Sequence, residues 1–154
     1  MKINSISGNI KYFGQSLFEV ILALAVATII IMAIVSLTSK TVSTSTYSSN
    51  KAQAGRYLSE AMEYLRKEKQ FGTWNTLKTN ITAGGGVWCM TNLSLTKNYA
   101  CNPATSGDFI PGTIFQRTVT ASATVSTVNV EITVTWVDEQ GSHAVNTISA
   151  ISNW

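Results

Sequence analysis

From Val20 to Ser39 the chain carries no charge for twenty residues. As a helix rising about 1.5 Å per residue, that run is about 30 Å long, the thickness of one bilayer core. Its polar side chains are Thr28, Ser36, Thr38 and Ser39, three of them at the far end. A secretory signal peptide has a shorter apolar core followed by a small-residue cleavage site. Here the run is long, and "SLTSKTV" contains no A-x-A site. A plain membrane anchor fits the length. It leaves unexplained Glu19, a carboxylate at the mouth of the run, which costs several kcal/mol in a bilayer unless something compensates it.

The residues before the run supply a compensation. Lys2 and Lys11, with no acidic residue before Glu19, favour a cytoplasmic N-terminus and place the chain after residue 40 on the far side of the membrane. If the chain is cut after Gly14, the new amine belongs to Gln15 and Glu19 becomes the fifth residue. Residues four apart share one helix face. The amine, on the same chain or a neighbour, can then neutralise the carboxylate, and a buried charge is tolerated when paired.

The stretch Gly14-"QSLF"-Glu19, followed by an apolar helix, resembles the signature of type IV prepilins: a basic leader, a glycine at the cut and a glutamate five residues on. That family comprises major and minor pilins and the pseudopilins of type II secretion and competence systems. The resemblance is strong from residue 11 to about 40 and weaker beyond. It implies that Gly14 and Gln15 flank the prepilin peptidase cut and that Gln15 is a candidate for N-methylation, where many relatives carry phenylalanine. It implies that Glu19 pairs with a neighbour's terminal amine during filament assembly. The implied partners are other pilin or pseudopilin subunits, the peptidase, a membrane assembly platform and its ATPase, and the lipid bilayer before assembly. The implied location is a single-pass inner-membrane protein, then an extracytoplasmic or cell-surface filament. The ending "TVTWVDEQGSHAVNTISAISNW" is loosely similar to the tails of some minor pilins and pseudopilins.

Beyond the run, intrinsic propensity makes "TVSTSTYSSN" (41–50) a linker, whereas the resemblance implies a helix that continues. In "KAQAGRYLSEAMEYLRKEK", Leu58, Ala61, Met62 and Leu65 recur at helical spacing, extended by Ala54 and Tyr57, and predict a stripe packed on a sheet. Arg56–Glu60 and Glu63–Lys67 are spaced as i,i+4 ion pairs. Gly72 is a stop signal, so one helix is expected from about 15 to 70. "FGTWNTL" reads as an aromatic anchor and a turn. "AGGGVWCM" reads as a flexible loop, since a phosphate cradle needs a Gly-Lys-Ser/Thr ending. "SGDFIPG" is a turn-rich loop.

The last third alternates with period two. Phe115, Val119, Ala121 and Ala123 fall on one side of one strand; Val128, Val130, Ile132, Val134 and Trp136 form one face of the next. "DEQG" turns the chain, and "SHAVNTISAISNW" returns as a third strand. Short connections make the three strands antiparallel neighbours. The expected fold is α+β and pilin-like, a long N-terminal helix whose outer half packs on a C-terminal antiparallel sheet. The divisions are a leader (1–14), a membrane or filament-core half-helix (15–39), an amphipathic half-helix (40–70) and a β-rich head (71–154).

Nothing in the sequence carries catalysis, and no cofactor or metal is expected. His143 stands alone beside a turn and reads as a surface residue. Asp108, Asp138 and Glu139 are scattered loop acids, too few for a calcium loop. There is no G-x-S-x-G elbow. The net charge of +3 is not a nucleic-acid signal: without residues 1–14, nine Lys+Arg face eight Asp+Glu, and no basic cluster interleaves with aromatics. Cys89 and Cys101, with eleven residues between them, form no C-x-x-C pattern; in an oxidising compartment they are a candidate disulfide. Trp136 is expected in the core, and core or edge packing outweighs exposure for Trp88 and Trp154. Two other readings remain: a bitopic, membrane-anchored binding module that never polymerises, and a secreted enzyme with a mature start near residue 40.

Overall fold

The computed structural model describes residues 13–153, with side chains from Leu17 onward. The elements are helix α1 (Phe13–Phe71), helix α2 (Trp74–Thr82), a 3-10 turn (Ala83–Gly85), strand β1 (Val87–Cys89), a second 3-10 turn (Ser106–Asp108), and strands β2 (Gln116–Ala123), β3 (Thr127–Asp138) and β4 (Gly141–Ser152). The architecture is α+β, a long N-terminal helix followed by a four-stranded antiparallel sheet. The chain divides into two compact units, one up to Ser45 and one from Thr46 on.

In the first unit, α1 is long and apolar enough to cross a membrane. Leu17, Phe18, Ile29, Met32 and Leu37 are each more than 60% exposed, so this stretch has no core of its own. The hydroxyls of Thr38, Ser39, Thr41 and Thr44 bond back to the carbonyls of Ile34, Val35, Leu37 and Lys40. Residues 41–50 are helical, against their low propensity.

In the second unit, α1 buries the expected stripe, Ala54, Leu58, Ala61, Met62 and Leu65. Val128, Val130, Ile132, Val134 and Trp136 of β3 are buried with it in one core. Burying a side chain of this size contributes about 1.5–3 kcal/mol, and none of the β3 face is exposed by more than 2%. The helix stops where expected. The Gly72 N–H bonds to the Glu68 carbonyl at 3.0 Å, and a Cβ at Gly72 would sit 2.7 Å from that oxygen. Only glycine fits so close.

The sheet order is β1-β2-β3-β4, one strand more than the sequence indicated. "FGTWNTL" is the start of α2, where the Thr73 hydroxyl accepts from the Thr76 N–H at 3.2 Å as N-cap. "AGGGVWCM" is a tight turn followed by β1, not a loop. Gly86 has φ 72°, and a Cβ there would strike the Ala121 carbonyl. That closeness lets Ala121 N–H bond to Gly86 O at 2.7 Å and opens the pairing of Val87–Cys89 with Thr118–Thr120.

Arg117 interrupts the apolar side of β2 that the sequence assigned to Phe115, Val119 and Ala121. It is 2% exposed. Its Nε donates to Met90 O at 3.2 Å and its guanidinium to Tyr57 O at 3.0 Å, with Glu60 3.7 Å away. Glu60 thus faces Arg117, where the i,i+4 spacing had suggested Arg56. Burial lowers the guanidinium's pKa, and Glu60 and Tyr57 act against it. The contact ties α1 to the sheet at mid-length.

Candidate functional site

Gly14 and Gln15 fall in the opening turn of α1. The Gln15 side chain, the leader with Lys2 and Lys11, and Trp154 lie outside the described residues. Glu19 is exposed on α1 among apolar neighbours. Among the described residues up to Ser45 it is the one acidic side chain, and Lys40 is the one basic side chain. Twenty residues of helix lie between them, a rise of about 31 Å, far beyond ion-pair reach. Within the described part of that unit, Glu19 therefore has no cation in reach.

The structure joins Cys89 to Cys101, with an S–S distance of 2.11 Å. The closed loop packs around Asp108, which is fully buried, a placement that its position in a loop did not indicate. Its carboxylate accepts from the Asn102 N–H at 3.0 Å, Tyr99 OH at 2.9 Å and Lys97 Nζ at 3.0 Å. Lys97 also bonds to the Gly107 carbonyl. The Asn102 N–H does most to hold Asp108 below the usual carboxylate range; burial opposes it, and Lys97 and Tyr99 add to it. The hydrogen bond to Asp108 in turn raises Lys97. Gln116 Nε2 donates to Asn102 O at 2.8 Å, which fixes the same loop to β2.

A carboxyl depressed on folding stabilises the fold fully above its unfolded pKa, near 3.8, and that stability is lost as pH falls through the lower folded value. Urea unfolding is therefore expected to give a pH-independent midpoint above about pH 5 and a falling one below about pH 4. Asp108→Asn is expected to lower the midpoint at pH 7 and to flatten that acid slope. An unchanged slope in Asp108→Asn would remove Asp108 from the account.

His143 is likewise not a lone surface residue. Its Nε2 lies 2.8 Å from Asp138 Oδ1. Its ring stacks on Trp136 (centroids 5.2 Å, 29°) and lies 5.0 Å from the ring of Tyr47 of α1. Partial burial raises Asp138, but bonds from His143 and the Gln140 N–H outweigh it and leave the carboxyl lowered. Trp136 sits in the core as expected, its indole N–H buried without a partner. Trp88 is buried and donates to Ile81 O at 2.8 Å. Among the described residues no three His, Cys, Asp or Glu side chains come together as a metal site would need.

Comparison with protein-family models, with curated proteins and with solved structures returned no match. The functional reading therefore rests on the residues and their placement.

Proposed function

We propose that this protein is a structural subunit of a type IV pilus-like or pseudopilus filament. It is cut by a prepilin peptidase after Gly14 and polymerises through the apolar half of α1. The observation that carries this reading is the isolation of Glu19, a carboxylate on a fully exposed apolar helix whose nearest described cation on that helix is Lys40. A cut at Gly14–Gln15 creates a cation one helical turn from it, and the same amine on a neighbour can meet it across a bundle. Residues 17–37 are the filament core in this reading, and the unit from Thr46 on is the outer surface. The leader stays cytoplasmic, the C-terminus lies outside, and the disulfide fits an oxidising exterior. The role is structural, not enzymatic. Minor pilin or pseudopilin is favoured over major pilin on the loose similarity of the tail.

The test is the N-terminus of the membrane-associated protein, read by mass spectrometry with its own peptidase present. The expected chain begins at Gln15, with or without an added methyl group. An intact Met1 start would favour the anchored binding module, and a start near residue 40 would favour a secreted product.

A further inference from the structure

Glu19 stands exposed at the start of an apolar stretch of α1, none of which is buried within the chain. Among the described residues up to Ser45 the one basic side chain, Lys40, is far out of its reach. The chain is already helical at Phe13, and in that register residue 15 lies about one turn from Glu19. The residue that carries the new amine after a cut at Gly14 is a glutamine. An N-terminal glutamine holds a nucleophile and an electrophile in one residue: its α-amine and the carbonyl carbon of its own carboxamide.

Given the cut after Gly14, on which this rests, we propose that Gln15 closes to a pyroglutamyl lactam in subunits that wait unassembled, and that the loss of its cation withdraws them from polymerisation. In its neutral form the α-amine attacks Cδ of the Gln15 carboxamide. A bond forms between the amine nitrogen and Cδ, the Cδ–Nε2 bond breaks, and one amine proton leaves with Nε2 as ammonia. No oxidant, reductant or second substrate is consumed. Closure of the five-membered ring is favoured because both groups belong to one residue. The product nitrogen is an amide. It carries no positive charge and is no longer an amine that can be methylated. Methylation of the amine keeps the cation; ring closure abolishes it.

Assembly decides which fate the amine meets. A free α-amine has an ordinary pKa near 8, so roughly a tenth of it is neutral at pH 7 and able to attack. At the membrane surface a pair with Glu19 is wetted and weak. In a bundle of apolar helices the same pair is desolvated, and the carboxylate holds the amine as an ammonium, which has no lone pair to attack with. Ring closure is therefore confined to subunits outside the bundle. It leaves them with Glu19 unpaired, and burying an unpaired carboxylate in a filament core is costly. The cut thus yields an assembly-competent terminus of limited lifetime.

The experiment is mass spectrometry of the N-terminal peptide from the membrane pool and from sheared filaments of the full chain. Free amines are capped at lysis with an isotopically marked acetyl group, so that only rings closed in the cell are counted. The membrane pool is expected to contain a Gln15 start lighter by one ammonia, in a fraction that grows after synthesis is stopped. That form is expected to be depleted from filaments by at least about tenfold. Gln15→Asn keeps a carboxamide but would need a four-membered ring, and Gln15→Phe has no carboxamide. Both are expected to lose no ammonia and to keep an aged membrane pool competent to assemble. A Gln15 start that never loses ammonia overturns the modification and leaves the cut standing. Equal proportions of the ring form in membrane and filament overturn its effect on assembly. An intact Met1 start overturns the cut and the modification together.

Discussion

Glu19→Ala is expected to be cut after Gly14 as completely as the parent chain and yet to be depleted from filaments. The substitution removes a charge from an apolar segment, so membrane insertion becomes slightly easier, not harder. The loss is confined to assembly, where the carboxylate would meet a neighbour's terminal amine. Close, desolvated charge pairs couple by about 1.5 kcal/mol or more, which corresponds to at least a tenfold drop in incorporation. The measurement is the ratio of subunit in sheared filaments to processed subunit in the membrane. Normal incorporation of Glu19→Ala would refute the assembly role while leaving the cleavage reading intact.

Arg117→Ala is expected to be the most destabilising single change in the unit from Thr46 on. It leaves a cavity beneath α1 and strips donors from the carbonyls of Met90 and Tyr57. Unmade buried hydrogen bonds and lost volume of this kind cost about 3–4 kcal/mol together, a large part of a small domain's stability. Arg117→Met refills much of the volume without the donors and is expected to recover part of the loss. Arg117→Lys is not conservative here, because one ammonium cannot serve two carbonyls as a planar guanidinium does. Urea midpoints of the three variants, compared at pH 7, check the order. Equal midpoints for Arg117→Ala and wild type would mean that the helix is held by its apolar stripe alone.

Long periodic elements were legible in the sequence because repetition averages out local noise. The stripe from Ala54 to Leu65 and the alternation from Val128 to Trp136 each offer five registered positions, and both faces lie where expected. Short elements offer too few. β1 has three residues, and α2 buries only Leu77 and Ile81, so neither shows a period. Arg117 obeys the alternation of β2, but a charged residue on the apolar side reads as a break in pattern until Tyr57, sixty residues earlier, is seen to receive it. The burial of Asp108 and the partners of His143 were illegible for the same reason. Their partners converge through chain folding, from Lys97 and Asn102 in one case and from Tyr47 in the other, and no spacing rule connects them. The isolation of Glu19 is different: charge placement along a single helix can be counted directly from the sequence.

The hydroxyl-to-carbonyl bonds along α1 give this protein a mechanical character. Thr38, Ser39, Thr41 and Thr44 share carbonyls with the helix's own ladder, which weakens and bends a helix where they cluster. They lie between the apolar run and the first core residue, Ala54, with little packing to reinforce them. Under tension along the chain this is where α1 would yield first. Each residue passing from helix to extended chain adds about 1.8 Å, roughly 9 Å over residues 41–45. A filament built from such subunits would lengthen under load and recoil, with the folded unit beyond Thr46 left intact.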